Sequence, residues 1–211
     1  MVFDSARALV LTAHPDDEFG CSGLIARLLE SGTTVDVVCF SACEESVPEG
    51  FDRDVLRREF RDAMQILGIA TDRFQMRDFR VRHFPEHRQA ILEELVAIRQ
   101  QLAPDLVLLP SSSDVHQDHG TIAAEGVRAF KHSTILGYEL PMNTISFRHA
   151  CFVRLEARHL EIKARHAAAY VSQRHRPYMS HDFLRSLAVV RGLQMNTDAA
   201  EAFEVVRLVV P

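Results

Sequence analysis

Four apolar residues in a row, Ala8-Leu9-Val10-Leu11, are followed within three residues by His14-Pro15-Asp16-Asp17-Glu18. The unbroken apolar run suits a strand buried on both faces, as in a parallel sheet, rather than a strand with one wet face. The residues after it, with Gly20, Gly23, Leu24, Ile25, Leu28 and Leu29, read as a helix over 19–31 that Gly32 stops. A histidine and three carboxylates therefore sit where a buried strand turns into a helix. Charge near a core is costly unless it is paired or bound to a metal.

The same alternation recurs along the chain. Residues 34–40 (Thr-Val-Asp-Val-Val-Cys-Phe) form a second strand rich in β-branched residues, and 41–52 form a polar, acidic loop. A helix over 55–67 follows, closed by Gly68, then a weak strand over 72–76 and a basic, aromatic loop over 77–87. A helix over 88–102 is stopped by Pro104, and a fourth strand covers 105–109. Further on, the pattern predicts strands over 134–139, 144–147, 151–155 and 203–210, and helices over 156–171 and 182–193. Strand and helix alternating in this way predict an α/β, Rossmann-like fold with a mostly parallel sheet and helices on both faces, extended by smaller C-terminal elements. The chain of 211 residues reads as a single domain over 1–211, with no repeat or linker.

In such a sheet the ligand crevice opens at the carboxyl ends of the strands where their order reverses, and strands one and four usually flank it. The loop after strand four carries Ser111-Ser112-Ser113-Asp114-Val115-His116-Gln117-Asp118-His119, with a helix from Gly120 onward. His116, Asp118 and His119 are thus expected to face His14 and Asp17. Taken alone, Asp16, Asp17 and Glu18 would read as helix-terminal caps, and His116 and His119 as loop histidines. Their meeting at two neighbouring strand ends favours a site.

Three protein ligands with an open position is the arrangement of catalytic zinc. His14, Asp17 and His119 would supply a His₂Asp set for Zn²⁺, and another divalent metal such as Fe²⁺ would also suit it. Such a metal lowers the pKa of a water to about 7 and polarises a carbonyl. Asp16 is suited to general-base work, and His116 to protonating a leaving amine or stabilising an oxyanion. Asp118 would fix a histidine's tautomer. His83, His87, His159 and His166 lack this setting and read as surface or packing residues.

The formal net charge of −5 gives no sign of a nucleic-acid surface. Cys21, Cys39, Cys43 and Cys151 have no metal-binding spacing and read as free thiols of a reducing compartment. Asp4 interrupts the N-terminal apolar stretch, which argues against a secretory signal, and no stretch has the length of a membrane span. A cytoplasmic location is the expectation.

The two-part motif His14-Pro15-Asp16-Asp17-Glu18 and His116-x-Asp118-His119 resembles the PIG-L/LmbE-like zinc-dependent N-deacetylases. Weaker matches in the same order are Glu59 with Ala63 and Leu67-Gly68, Pro104-Asp105, Tyr170-x-Ser172-Gln173 and Ala200-Glu201-Ala202-Phe203. The resemblance implies a Rossmann-like fold, with His14, Asp17 and His119 as zinc ligands. It implies Asp16 as base, His116 as acid or oxyanion stabiliser and Asp118 as its support. It also implies removal of acetate from an N-acetylglucosamine unit, free or linked to a nucleotide, a lipid or another aglycone. The loop after strand two departs from the family's Gly-Glu element, reading Ser41-Ala42-Cys43-Glu44-Glu45-Ser46, and the family arginine near the second helix is either Arg57 or Arg58. Arg82, Glu139 and Asn143 are the candidate substrate-binding residues. An amidase for a bulkier acyl group or thiol conjugate, and a non-catalytic sugar- or nucleotide-binding module, are the alternatives. Assembly into a homo-oligomer is left open.

Overall fold

The computed structural model describes residues 6–210. Asp4, which breaks the N-terminal apolar stretch, lies outside them. One seven-stranded sheet runs through the molecule in the order β3-β2-β1-β4-β5-β7-β6. Its strands are β1 (Arg7–Thr12), β2 (Thr34–Cys39), β3 (Phe74–Met76), β4 (Leu106–Pro110), β5 (Thr134–Tyr138), β6 (Cys151–Arg154) and β7 (Ala200–Arg207). The first five are parallel; β7 runs antiparallel to both β5 and β6. The helices are α1 (Ser22–Glu30), α2 (Val55–Leu67), α3 (Arg88–Leu102), α4 (Gln117–Ala129), α5 (Ala157–Ala168) and α6 (His181–Leu193).

Alternate strand residues feed two cores. Ala8, Val10, Val37, Leu106 and Leu108 pack with α1, α2, α5 and α6 on one face, while Leu9, Leu11, Val38, Val107 and Leu109 pack with α3 and α4 on the other. Ala8 to Leu11 are wholly inaccessible to solvent, and each larger apolar side chain so buried contributes about 1.5–3 kcal/mol. This two-sided burial is why the β1 run shows no polar alternation. Gly32 and Gly68 both adopt left-handed φ, at 83° and 85°, just past α1 and α2. There Thr33 and Ile69 donate back to Leu28 and Met64 at 3.0 Å, closing the helices.

Strands β1 and β4 are direct neighbours, so the strand order reverses between them. The segments after both strands therefore emerge side by side. Three sequence expectations differ from the structure. Residues 144–147 form no strand: Asp114 and Thr144 make an isolated bridge, Ile145 is exposed, and the edge beside β7 is taken by Cys151–Arg154. The last strand begins at Ala200 rather than 203, because Ala200 to Ala202 pair with β6. Helix α4 begins at Gln117, so Asp118 and His119 lie on its first turn rather than in a loop.

Candidate active site

The turn after β1 is built around its own carboxylate. The His14 backbone N–H donates to Asp17 Oδ2 at 2.8 Å, and Phe19 N–H donates to the Asp16 carbonyl at 3.0 Å. Asp16 is forced to φ 88°, ψ −25°, a left-handed conformation uncommon for a residue with a side chain. Such outliers gather at functional sites when the surroundings over-determine them. The short helical turn Asp17–Gly20 lies so close to β5 that a Cβ on Gly20 would stand 2.8 Å from the Tyr138 ring and 2.9 Å from the Glu139 carbonyl.

Opposite it, the start of α4 is held by two carboxylates. Asp114 Oδ1 accepts the His116 backbone N–H and Asp114 Oδ2 accepts from His119 Nδ1, each at 2.8 Å. Asp118 is fully buried: its Oδ2 takes His14 Nε2 at 2.9 Å and the Arg82 N–H at 2.6 Å, while Oδ1 takes the Phe84 N–H at 3.2 Å. His116 Nδ1 accepts the Asp118 backbone N–H at 3.2 Å, which leaves its Nε2 to carry the proton.

These partners decide the tautomers of the other two rings. A carboxylate only accepts, so His14 carries its proton on Nε2 toward Asp118, and His119 carries its proton on Nδ1 toward Asp114. The remaining lone pairs, His14 Nδ1 and His119 Nε2, face each other at 3.0 Å. Asp17 Oδ2 lies 3.3 Å from His119 Nε2 and 3.6 Å from His14 Nδ1. Three acceptors thus converge with no proton among them, a repulsive arrangement unless a cation joins it. Ligands at 2.0–2.1 Å from a tetrahedral ion stand about 3.3–3.4 Å apart, so the triangle fits a first-row divalent metal. His14, His116 and His119 also offer nitrogens within 4.8 Å of one another, but the wider spacing and the committed Nδ1 of His116 set it apart.

The local field points the same way. Burial works against a charged His119, yet Asp17 and Asp114 beside it raise its pKa to about 10. The site draws in positive charge, whether a proton or a metal ion. Burial likewise opposes ionisation of Asp17, but His119 and His14 hold its carboxyl down to about 2. Asp16 goes the other way: burial, then the charges of Asp17 and Glu18, push it well above the usual carboxylate range. Among the described residues no hydrogen bond engages its carboxylate. Burial and the neighbouring rings of His14 and His119 lower His116 to about 4.

The cluster forms the floor of a cleft of about 800 Å³, open mouth included. Asp16, Asp17, His14, His116 and His119 all line it, as do Arg82 and Asn143. Glu139 does not: its carboxylate is buried in an ion pair with Arg191 on α6, which corrects its expected place at the substrate. Neither Arg57 nor Arg58 lines the cleft. Arg57 is engaged by Glu44 and Asp78, and Arg58 by Asp52 and Asp54. Cys43 is in the cleft wall at φ 53°, its thiol pushed up by burial, and all four cysteines are free. Glu18 turns away from the cleft into the core, where His166 Nε2, at 3.1 Å, and the Tyr170 hydroxyl engage it. His166 is thus a core residue, not a surface one.

Asp114, Arg176 and Tyr178 were not anticipated as part of this site. Asp114 sits in a serine-rich loop, and its one signal is its spacing of two from His116 and five from His119. Arg176 and Tyr178 flank Pro177 and read as a turn. Gln173, also in the wall, belongs to the Tyr170-x-Ser172-Gln173 element.

A doubly wound sheet with this crevice defines an N-deacetylase of the LmbE-like class. The PIG-L family, described as GlcNAc-PI de-N-acetylase, matches residues 9–130, and the chain belongs to that family. It is 28% identical over 162 residues to the Escherichia coli protein described as uncharacterized deacetylase YaiS, covering 74% of this chain and 85% of that one. The fold is similar to that of the N,N'-diacetylchitobiose deacetylase of Pyrococcus horikoshii, with TM-score 0.78 and 21% identity over 96% of this chain and 84% of that one. It is also similar to GalB, the 4-carboxy-2-hydroxymuconate hydratase of Pseudomonas putida, with TM-score 0.75 and 20% identity over 97% and 98% of the two chains. Among the described residues no helix is long and apolar enough to cross a membrane.

Proposed function

We propose that this deacetylase is a zinc-dependent hydrolase that removes the N-acetyl group from an N-acetylglucosamine-type amino sugar or its conjugate, giving acetate and a free amine. The observation that carries the reading is the convergence of three lone pairs, on His14 Nδ1, Asp17 Oδ2 and His119 Nε2, beside the unengaged carboxylate of Asp16. The deacetylase names of YaiS and of the chitobiose enzyme support the reaction class. Zn²⁺ held by those three atoms would supply Lewis acidity, polarising the amide carbonyl and acidifying a water.

The chain's own residues do the rest. Asp16 takes the proton of the attacking water as its oxygen bonds to the amide carbon. The carbonyl oxygen then carries negative charge, and His116 Nε2–H, kept protonated by the backbone bond to Nδ1, is the donor placed to meet it. As the C–N bond breaks, the proton held by Asp16 passes to the departing amine. Asp118 and Asp114 keep His14 and His119 in the tautomers that direct lone pairs inward.

The test is acetate release from free, nucleotide-linked and lipid-linked N-acetylhexosamines with zinc supplied, in the wild type and in Asp16→Asn. The variant should keep its zinc and lose turnover by about 10²–10⁴-fold. Undiminished turnover would remove Asp16 from the reaction. Release of larger acids but not acetate would shift the assignment to a bulkier amide.

A further inference from the structure

The cleft wall holds two arginines, Arg82 and Arg176, and neither has a carboxylate partner among the described residues. Elsewhere the arginines near acids are paired: Arg57 with Glu44 and Asp78, Arg80 with Glu45, Arg191 with Glu139. The partners of Arg176 are neutral. Its Nε donates to Gln173 Oε1 at 2.6 Å and its Nη1 to the Tyr178 hydroxyl at 2.7 Å, with the guanidinium 5.7 Å from the Tyr178 ring centre. Gln173 is itself buried and donates to Ser172 Oγ at 3.0 Å. Ser172 in turn donates from its N–H and hydroxyl to the buried Glu59, at 2.8 and 2.6 Å. This chain holds the guanidinium in place without neutralising it.

Arg82 is held through its backbone instead. Its φ is 70°, its N–H is bound by Asp118, and its carbonyl accepts from Gln117 Nε2 at 3.4 Å. Left-handed backbone is where glycine or asparagine is expected. The guanidinium remains at the cleft without a protein partner. If the tripod holds a divalent ion, Asp16 and Asp17 balance its charge and the two arginines are left over. Guanidinium forks match carboxylate and phosphate oxygens, not neutral hydroxyls.

We propose that Arg82 and Arg176 form an anion subsite, and that the amino sugar deacetylated here carries a carboxylate or phosphate substituent. The proposal rests on the deacetylase reading of the same cleft. Its test compares kcat/KM for N-acetylglucosamine, its 1- and 6-phosphates, and its 3-O-lactyl ether, so that phosphate and carboxylate sources are read separately. It adds calorimetric binding of the corresponding free amines, which needs no turnover. The wild type should favour at least one anionic form over the neutral sugar by tenfold or more, in catalysis or in amine binding. Arg82→Gln and Arg176→Gln should each cut that preference at least fivefold, and raising the salt concentration should weaken it.

No preference for any anionic form, or a preference untouched in both variants, overturns the subsite. Equal losses on neutral and anionic sugars in Arg176→Gln would mean that this arginine serves Asp16 instead, and would also overturn it. If no sugar is deacetylated, the reaction assignment fails, and the amine calorimetry still decides the subsite. Because Arg176 braces Gln173 and Tyr178, the exposed Arg82 provides the control for a folding defect.

Discussion

The substitution Asp114→Asn isolates the argument about ring tautomers. Asp114 makes two hydrogen bonds, both as acceptor and both at 2.8 Å: Oδ1 from the His116 N–H and Oδ2 from His119 Nδ1. Its side chain is almost wholly buried. An asparagine of the same shape has one acceptor and one donor group. If its oxygen faces the His116 backbone, its NH₂ faces His119 Nδ1. The ring must then move its proton to Nε2, into the 3.0 Å gap to His14, where it blocks the lone pair that would bind metal. If its oxygen faces His119 instead, two N–H groups oppose each other at the start of α4 and disturb the turn that carries the ring. Either way one buried bond is lost.

Loss of such an outer partner costs about 10–100-fold in metal affinity, equivalent to about 1.4–2.8 kcal/mol. Zinc affinity is measured by competition with a chromogenic chelator at fixed pH, with a denaturant titration on the same sample to verify folding. A folded Asp114→Asn protein with wild-type zinc affinity would refute the reasoning. It would mean that His119 Nε2 does not bind the metal, or that Asp114 does not set its tautomer.

Three further outcomes follow from particular contacts. His119→Ala should lose stoichiometric zinc, whereas His116→Ala should retain it and lose turnover; bound metal measured after dialysis separates the His14–Asp17–His119 set from the three-histidine alternative. Glu59→Ala strips the buried Ser172 N–H and hydroxyl of their acceptor, so stability should fall by roughly 1–3 kcal/mol in urea, and KM should rise because the Gln173–Arg176 wall depends on that bond. In Gly192→Ala the new Cβ would stand 2.6 Å from the Thr197 carbonyl and 2.7 Å from the Ala199 nitrogen; overpacking against backbone should cost about 1–3 kcal/mol in the same assay, and wild-type stability would show that the 192–199 turn can shift.

How much of this was legible in the sequence depends on whether a residue's role is set locally or by a distant partner. The β1 run could be read because burial on both faces leaves no polar alternation. The meeting of His14 and Asp17 with His116, Asp118 and His119 could be read because the fold class dictates which strand ends adjoin. The start of α4 was placed three residues late because its cap is the His116 ring, and histidine is not among the residues that usually cap. Residues 144–147 alternate like a strand, but a strand also needs a free edge, and that is a property of the whole sheet. Glu139 stands at the end of β5, one residue past a strand that flanks the crevice, and only the arrival of Arg191 from α6 explains why it turns away.

The architecture alone does not select the reaction, since GalB, a hydratase, has a similar fold. What can select it here is the way each polar group is committed. Asp118 is occupied three times over, Asp114 twice, and both spend their lone pairs orienting histidines rather than meeting substrate. Asp17 already holds the His14 N–H, which leaves it fixed in the tripod. Asp16 alone of these carboxylates is buried, strained at φ 88° and unbonded, so it is the group free to take a proton. A strained backbone that delivers one unpaired carboxylate next to three converging acceptors has no structural benefit of its own. Its rationale is a reaction in which a water must lose a proton beside a metal.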